Sequence, residues 1–273
     1  MKITTPLANA QFKIAGDTAP PAITFKTDAT GPHVWTWKIV WDTFSKTGTV
    51  NTATGSVTLK AQLADLGGTL TVTAAAGGKT AQLAVRVIGT NPAMSAIEAY
   101  LATKPNSDGF TAIIRHESKG KHFNTSGQPV KSFDNGYGLC QLTTPAPSFQ
   151  QCWSWKRNID AGLVLFAAKQ TAARTYLAQS GRTYTAAQLR YETVCRWNGG
   201  SYHRYVGGKW VRNPAILCDA RTGNIGWDMT DADNAGQTEA QLRARDKGTY
   251  ARGHKNTDEW NYFGVCYADA ILN

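Results

Sequence analysis

The sequence predicts an α+β multidomain chain: an N-terminal all-β sandwich followed by a mainly α-helical domain. Three observations carry that expectation. At 273 residues the chain has room for two domains of ordinary size. Its first ninety residues hold short β-branched and aromatic runs between turn signals. Beyond Pro92 apolar residues recur at helical spacing, and Glu, absent from residues 1–91, enters together with all five cysteines. The expected domains are 1–91 and 92–273, the second carrying a polar, Gly-rich insertion at about 207–258.

The expected strands lie at 22–25, 34–41, 56–59, 69–73 and 81–87. In the second run Trp35, Trp37, Ile39 and Trp41 share one face, while Thr36 and Lys38 take the other, which is the period of a strand with one buried side. Gly77-Gly78 supplies a tight hairpin turn before the last run. Short strands at this spacing predict an immunoglobulin-like sandwich, here without an intersheet disulfide. The Trp stripe is expected to pack as core, with a sugar platform as the alternative. With no Glu and one His (His33), this part offers little for acid–base chemistry and is expected to be a spacer, anchor or binding module.

Helices are expected at 95–101, at 110–117 after a capping Asp108, and at about 158–179 with the stripe Ile159, Leu163, Phe166, Ala167 and Ala173. Thr185 and Gln188 have the spacing of a capping box opening a further helix at 186–197. A final helix is expected at 260–272. The Gly/Asn/Pro-rich stretch 120–157 reads as an active-site loop or small hairpin.

Composition narrows the functional classes. Lys and Arg number 29 against 19 Asp and Glu, a formal charge of +10, which favours an anionic partner. The charge is spread along the chain without a basic run or aromatic-basic motif, so nucleic acid is not expected as a partner. No apolar stretch is long enough for a membrane span. Residues 1–10 lack the apolar core of a secretory signal, so a protein working outside the cytosol is expected either to get there by another route or to have had its leader trimmed. Cys140, Cys152, Cys195, Cys218 and Cys266 have no zinc-site spacing, and no metal or cofactor is expected. They allow up to two disulfides with one thiol left over, or five buried thiols.

Glu117 is the residue on which the chemistry centres. Ile113-Ile114-Arg115-His116-Glu117-Ser118 puts a carboxylate at the end of an apolar helix, just before the turn Lys119-Gly120-Lys121. Partial desolvation at such a helix end favours the protonated carboxyl that a general acid requires. Three further blocks follow in order: Asn135-Gly136-Tyr137-Gly138-Leu139-Cys140-Gln141-Leu142, Asn158-Ile159-Asp160-Ala161-Gly162 and Arg196-Trp197-Asn198-Gly199-Gly200. In their order and spacing these blocks, with the closing segment 267–272, resemble the lysozyme-like superfamily of soluble lytic transglycosylases and goose-type lysozymes. The resemblance covers residues from about 93 to 273 without the insertion.

The resemblance implies a peptidoglycan muramidase that cuts the β-1,4 bond between N-acetylmuramic acid and N-acetylglucosamine. Glu117 would be the general acid and base. Ser118, Gly136, Tyr137, Gly138, Gln141, Trp197 and Asn198 would bind the glycan strand. A transglycosylase needs no second carboxylate, because the muramyl 6-hydroxyl attacks internally; a hydrolase needs one to activate water. Asp134 is the candidate second acid, though it stands closer to the Gly-rich block than the family pattern places it, and Thr143 occupies the later acidic position. Trp197 replaces the family's Tyr and has no hydroxyl to hold the Glu, for which Tyr191 or Tyr202 could substitute. Trp153, Trp155 and Trp210 are weaker candidates for sugar stacking. The rival reading is a non-catalytic wall-glycan-binding protein on the same scaffold. A wall enzyme reaching the periplasm without a signal peptide would be an antibacterial effector of a secretion system or a phage lysin, the former with a cognate immunity protein.

Overall fold

The computed structural model describes residues 1–15, 19–133 and 135–273. Its strands are β1 (Ile3–Thr5), β2 (Gln11–Lys13), β3 (Ile23–Thr27), β4 (His33–Trp41), β5 (Phe44–Thr52), β6 (Ser56–Leu59), β7 (Gly68–Ala76), β8 (Lys79–Ile88), β9 (His203–Val206), β10 (Lys209–Arg212), β11 (Ile216–Cys218), β12 (Ile225–Asp228) and β13 (Asn261–Tyr262). The helices are α1 (Met94–Ala102), α2 (Phe110–Ser118), α3 (Phe149–Trp153), α4 (Trp155–Leu177), α5 (Ala186–Asn198), α6 (Glu239–Tyr250) and α7 (Gly264–Leu272). They fall into two compact units: Met1–Lys104 with Glu117–Gly162, and Pro105–His116 with Leu163–Asn273. The boundary expected at 91/92 lies inside the first unit.

In the first unit a three-stranded sheet, β1-β3-β6, and a five-stranded sheet, β2-β8-β7-β4-β5, share one core. Strand β4 alternates strictly, with His33, Trp35, Trp37, Ile39 and Trp41 buried and the residues between them exposed. The Trp stripe is therefore core. Each such side chain, taken out of water, contributes roughly 1.5–3 kcal/mol. Packing is close enough to require glycine opposite one ring: a Cβ on Gly48 would sit 2.5 Å from the Trp37 indole. Gly77 (φ 53°) and Gly78 (φ 74°) both adopt the left-handed conformation that a two-residue hairpin between β7 and β8 demands.

The same core continues beyond the strands. Phe123, Tyr137, Cys152 and Trp153 join it, with Trp153 and Tyr137 edge-on to Trp41 at 5.6 and 5.9 Å. A free-standing all-β domain is thus not what forms, because the end of β4 is closed by segments from residues 117–162.

In the second unit the buried positions of α4 include Phe166, Gln170, Ala173 and Leu177, spaced three or four apart. The predicted box at the start of α5 is present, with Gln188 N–H donating to Thr185 Oγ1 and the Gln188 side chain accepting from Thr185 N–H. The insertion is structured. It holds β10, which pairs with β9 just ahead of it, most of the β11-β12-β13 sheet and α6; Ile225, Trp227 and Leu242 form a small core with Trp260 just beyond it. Trp227 Nε1 donates to buried Asp246 at 2.7 Å.

These strands correct the fold class. The protein is mixed α/β, not an all-β immunoglobulin-like sandwich followed by a mainly α-helical lysozyme-like domain. Strands of two to four residues, β9–β13, are too short to display a period and stand among polar and glycine residues. Strand β13 likewise takes the start of the expected last helix, which begins only at Gly264. One disulfide, Cys218–Cys266, ties β11 to α7, and Cys140, Cys152 and Cys195 are buried free thiols. Among the described residues no helix is long and apolar enough to cross a membrane.

Candidate active site

Helix α2 ends at Ser118, where Lys119 (φ 53°) and Gly120 (φ 71°) turn left-handed and stop it. Glu117 and Ser118 are both half-buried at this end. The chain then passes His122 and Phe123, whose backbone N–H groups both donate to Asn91 Oδ1 at 2.7 Å, while Asn91 Nδ2 returns a bond to the Phe123 carbonyl. One side chain thereby fixes the exit from the Glu117 helix.

The Gly136–Leu142 block is a tight loop closed on itself. Tyr137 and Leu142 exchange backbone hydrogen bonds at 3.1 Å, and Gly138 N–H donates to the Val130 carbonyl. Asn158, buried in the first turn of α4, holds it from below. Its Oδ1 accepts from Cys140 N–H at 2.9 Å, and its Nδ2 donates to the carbonyls of Tyr137 and Gln151. His122 Nδ1 accepts from Leu139 N–H at 3.3 Å, so the ring proton sits on Nε2. Burial drives the His122 pKa down to about 3, opposed by the Cys152 backbone. Burial also raises the Cys140 thiol pKa above its ordinary value, and the charge of Glu117 raises it further.

Several predicted ligand-binding residues have structural tasks in this arrangement. Gly138 (φ 71°) leaves room for its neighbours, since a Cβ there would lie 2.6 Å from His122 and 2.7 Å from Asn158. Gly136 N–H donates to Ser132 Oγ at 2.8 Å, and a Cβ on Gly136 would meet that same oxygen at 2.6 Å. Gln141 bonds within the block, Nε2 to the Gly138 carbonyl at 2.7 Å. Tyr137 is buried against Trp41 and Phe44, with its hydroxyl donating to Asp42 Oδ2 at 2.9 Å. Lys131 donates to the same oxygen at 2.8 Å and, with Tyr137, holds the Asp42 carboxyl below its ordinary range. In return Asp42 raises the Lys131 pKa to about 12. Asp134 lies outside the described residues.

Trp197 and Asn198 belong to the second unit. Trp197 packs edge-on to Phe110 at 5.5 Å and against Phe166, and Asn198 is the exposed last residue of α5. The two tyrosines expected to substitute for the family's hydroxyl are held otherwise: Tyr202 donates to Asp269 and Tyr191 to Asn273, each at 2.6 Å. Burial, then Asp269, raises the Tyr202 pKa. Trp153, Trp155 and Trp210 are all buried, so none offers an open face to a sugar.

Sequence reasoning missed the fixed framework. Asn91, His122 and Asp42 carry no motif, and their importance arises only from contacts across the fold. Glu192 is wholly buried, paired with Arg196 Nη2 at 2.8 Å and His203 Nδ1 at 3.1 Å, and it accepts the N–H groups of Tyr202 and His203. The i,i+4 spacing of Glu192 and Arg196 was the one available signal. Asp231, Asp233 and Glu259 bring carboxylate oxygens within 4.8 Å of one another, but exposed acids alone define no metal site.

In comparisons with known proteins, no family model matches this chain and no curated protein is recognisably similar to it.

Proposed function

We propose that the chain is a peptidoglycan-cleaving muramidase in which Glu117 is the general acid and base. What supports this reading is the position of Glu117, half-buried at the end of α2, from which its charge adds to the raised pKa of Cys140 in the loop that the ordered motifs pair with it. Asn91 holds the exit from α2 and the buried Asn158 holds the loop, which favours the rigidity that a catalytic carboxylate needs. Glu117 protonates the leaving glycosidic oxygen, and Ser118 positions the sugar. In a transglycosylase the reaction ends by internal attack of the muramyl 6-hydroxyl, Glu117 taking its proton; in a hydrolase a second acid, for which Asp134 is the candidate, activates water. The internal commitments of Gln141 and Tyr137 confine their part to shaping the loop. The site of action is the bacterial wall, reached through a secretion system or a phage, and a secreted effector would have an immunity protein that blocks this site.

The test is wall clearing by the chain and by Glu117→Gln. The expected result is an intact fold with clearing lost; undiminished clearing by the variant overturns the mechanism. Mass spectrometry of released muropeptides then separates anhydro ends, from a transglycosylase, from the reducing ends of a hydrolase.

A further inference from the structure

The disulfide of the second unit stands next to the packing of the helix that leads to Glu117. Cys266, on α7, is followed directly by Tyr267, which is 1% exposed and whose ring meets His116 edge-on, with centroids 5.0 Å apart. His116 precedes Glu117 on α2. At the start of the same helix Phe110 packs against Phe166 and Trp197. Helix α2 is thus braced by aromatic contacts near both ends, and the brace beside Glu117 comes from α7. At nine residues α7 is too short to be stable alone and depends on what it is docked to. The disulfide to β11 is the covalent part of that docking, and Arg212 to Asp269 at 2.7 Å is a polar part.

The bond is also placed where it can be made and broken. Both cysteines line a pocket of about 530 Å³ together with Tyr202, Arg212 and Asp269. Cys218 is half-buried and Cys266 is 1% exposed, so Cys218 is the more accessible of the two. Arg212 Nη2 lies 2.9 Å from Cys218 Sγ, and the Asp269 carboxylate is farther, at 4.0 Å. A guanidinium beside a sulfur favours the thiolate, which is the attacking species in thiol–disulfide exchange.

We propose that Tyr267 is a positioning residue for Glu117 and that the Cys218–Cys266 bond makes this positioning redox-dependent: the oxidised chain cuts the wall and the dithiol form does not. Oxidation proceeds by exchange with a disulfide carrier. The Cys218 thiolate attacks one carrier sulfur and expels the other as a thiolate. The Cys266 thiolate then attacks Cys218 Sγ, closing the bond and expelling the second carrier thiolate. In all, two thiols lose two protons and two electrons, and the carrier disulfide becomes a dithiol. Disulfides persist in the periplasm and outside cells and are rare in the cytosol, so the enzyme is silent before export and armed at the wall. That consequence rests on the muramidase reading.

The experiment is clearing of purified peptidoglycan by the full chain in three states: oxidised, reduced by a dithiol with cleavage verified by thiol labelling, and reoxidised. Reduction should lower clearing by about ten- to a hundredfold, the scale for a catalytic group misplaced by about an ångström, and reoxidation should restore it. In ¹H–¹³C spectra the His116 ring signals, identified by their loss in His116→Gln, should move on reduction as the Tyr267 ring shifts. Should reduction unfold the second unit, Tyr267→Leu with the bond intact supplies the test. That variant should lose clearing and shift the His116 signals, whereas Tyr267→Phe, which keeps a ring, should lose much less of either. Clearing unchanged by reduction or by Tyr267→Leu overturns the proposal, as do His116 signals that stay in place. Absence of clearing in every state, with His116 signals that move, sinks the muramidase reading and leaves the coupling of bond to helix standing.

Discussion

Asn158 grips Cys140 by its backbone: the Asn Oδ1 accepts the Cys140 N–H at 2.9 Å while the Asn Nδ2 donates to the carbonyl of Tyr137 at 3.0 Å. Both residues are fully buried, so no water replaces these bonds when they are lost. Asn158→Ala should therefore destabilise the protein by about 2–4 kcal/mol, the cost of two or three stranded backbone groups. Urea denaturation measures it. A change below half a kilocalorie would mean that the loop holds its shape without the clamp.

Two glycines are expected to be irreplaceable for reasons of space. Gly67→Ala would drive a methyl group to within 2.1 Å of the Trp153 ring, and Gly138→Ala adds a left-handed φ to its clash with His122. Each should cost about 1–3 kcal/mol or more. Denaturation midpoints compare them with Gly77→Ala, which meets nothing within 4 Å and pays only for its positive φ.

Which parts of this arrangement the sequence disclosed follows from the range of each signal. Strand β4 was legible because burial repeats every second residue from Trp35 to Trp41, and α5 because Thr185 and Gln188 are three residues apart. The helix end bearing Glu117 was equally local. The docking of Tyr137 and Trp153 onto Trp41 was not, since it joins residues about a hundred positions apart with no pattern linking them. The glycines of the 136–142 loop were assigned to substrate approach, yet their space is taken by His122, Asn158 and Ser132. Charge and spacing likewise left the cysteine pairing open until β11 and α7 were brought together.

His122 makes stability depend on pH. Its folded-state pKa is lowered by burial to about 3, whereas the unfolded ring titrates near its ordinary 6.5. Above 6.5 both states are neutral, and the histidine contributes no slope. Between 6.5 and 3 the unfolded state binds the extra proton, so stability falls as pH falls, by up to ~1.4 kcal/mol per pH unit. Denaturation curves at pH 7, 6, 5 and 4 check this, with His122→Gln as comparison. The variant should be less stable at pH 7 and lose less on acidification. An identical pH slope in both proteins would assign the acid sensitivity to other groups.

The Cys218–Cys266 bond should hold the second unit more strongly than any hydrogen bond in it. It spans 48 residues, from β11 to α7, enclosing β12, α6 and β13. Loop closure of that length removes entropy from the unfolded chain worth about 4 kcal/mol at 25 °C. Replacing both cysteines with alanine should lower stability by about 2–5 kcal/mol, and a dithiol reductant should do the same to the parent chain. The alanine pair should no longer respond to the reductant. Arg212, whose Nη2 lies 2.9 Å from Cys218 Sγ and whose Nε pairs with Asp269 on α7, keeps a polar link between the same two elements. The loss should therefore appear first in the second unit, as faster amide exchange across β11, β12 and α7. Exchange that rises equally in β4 and β7 would instead mean that the two units unfold as one.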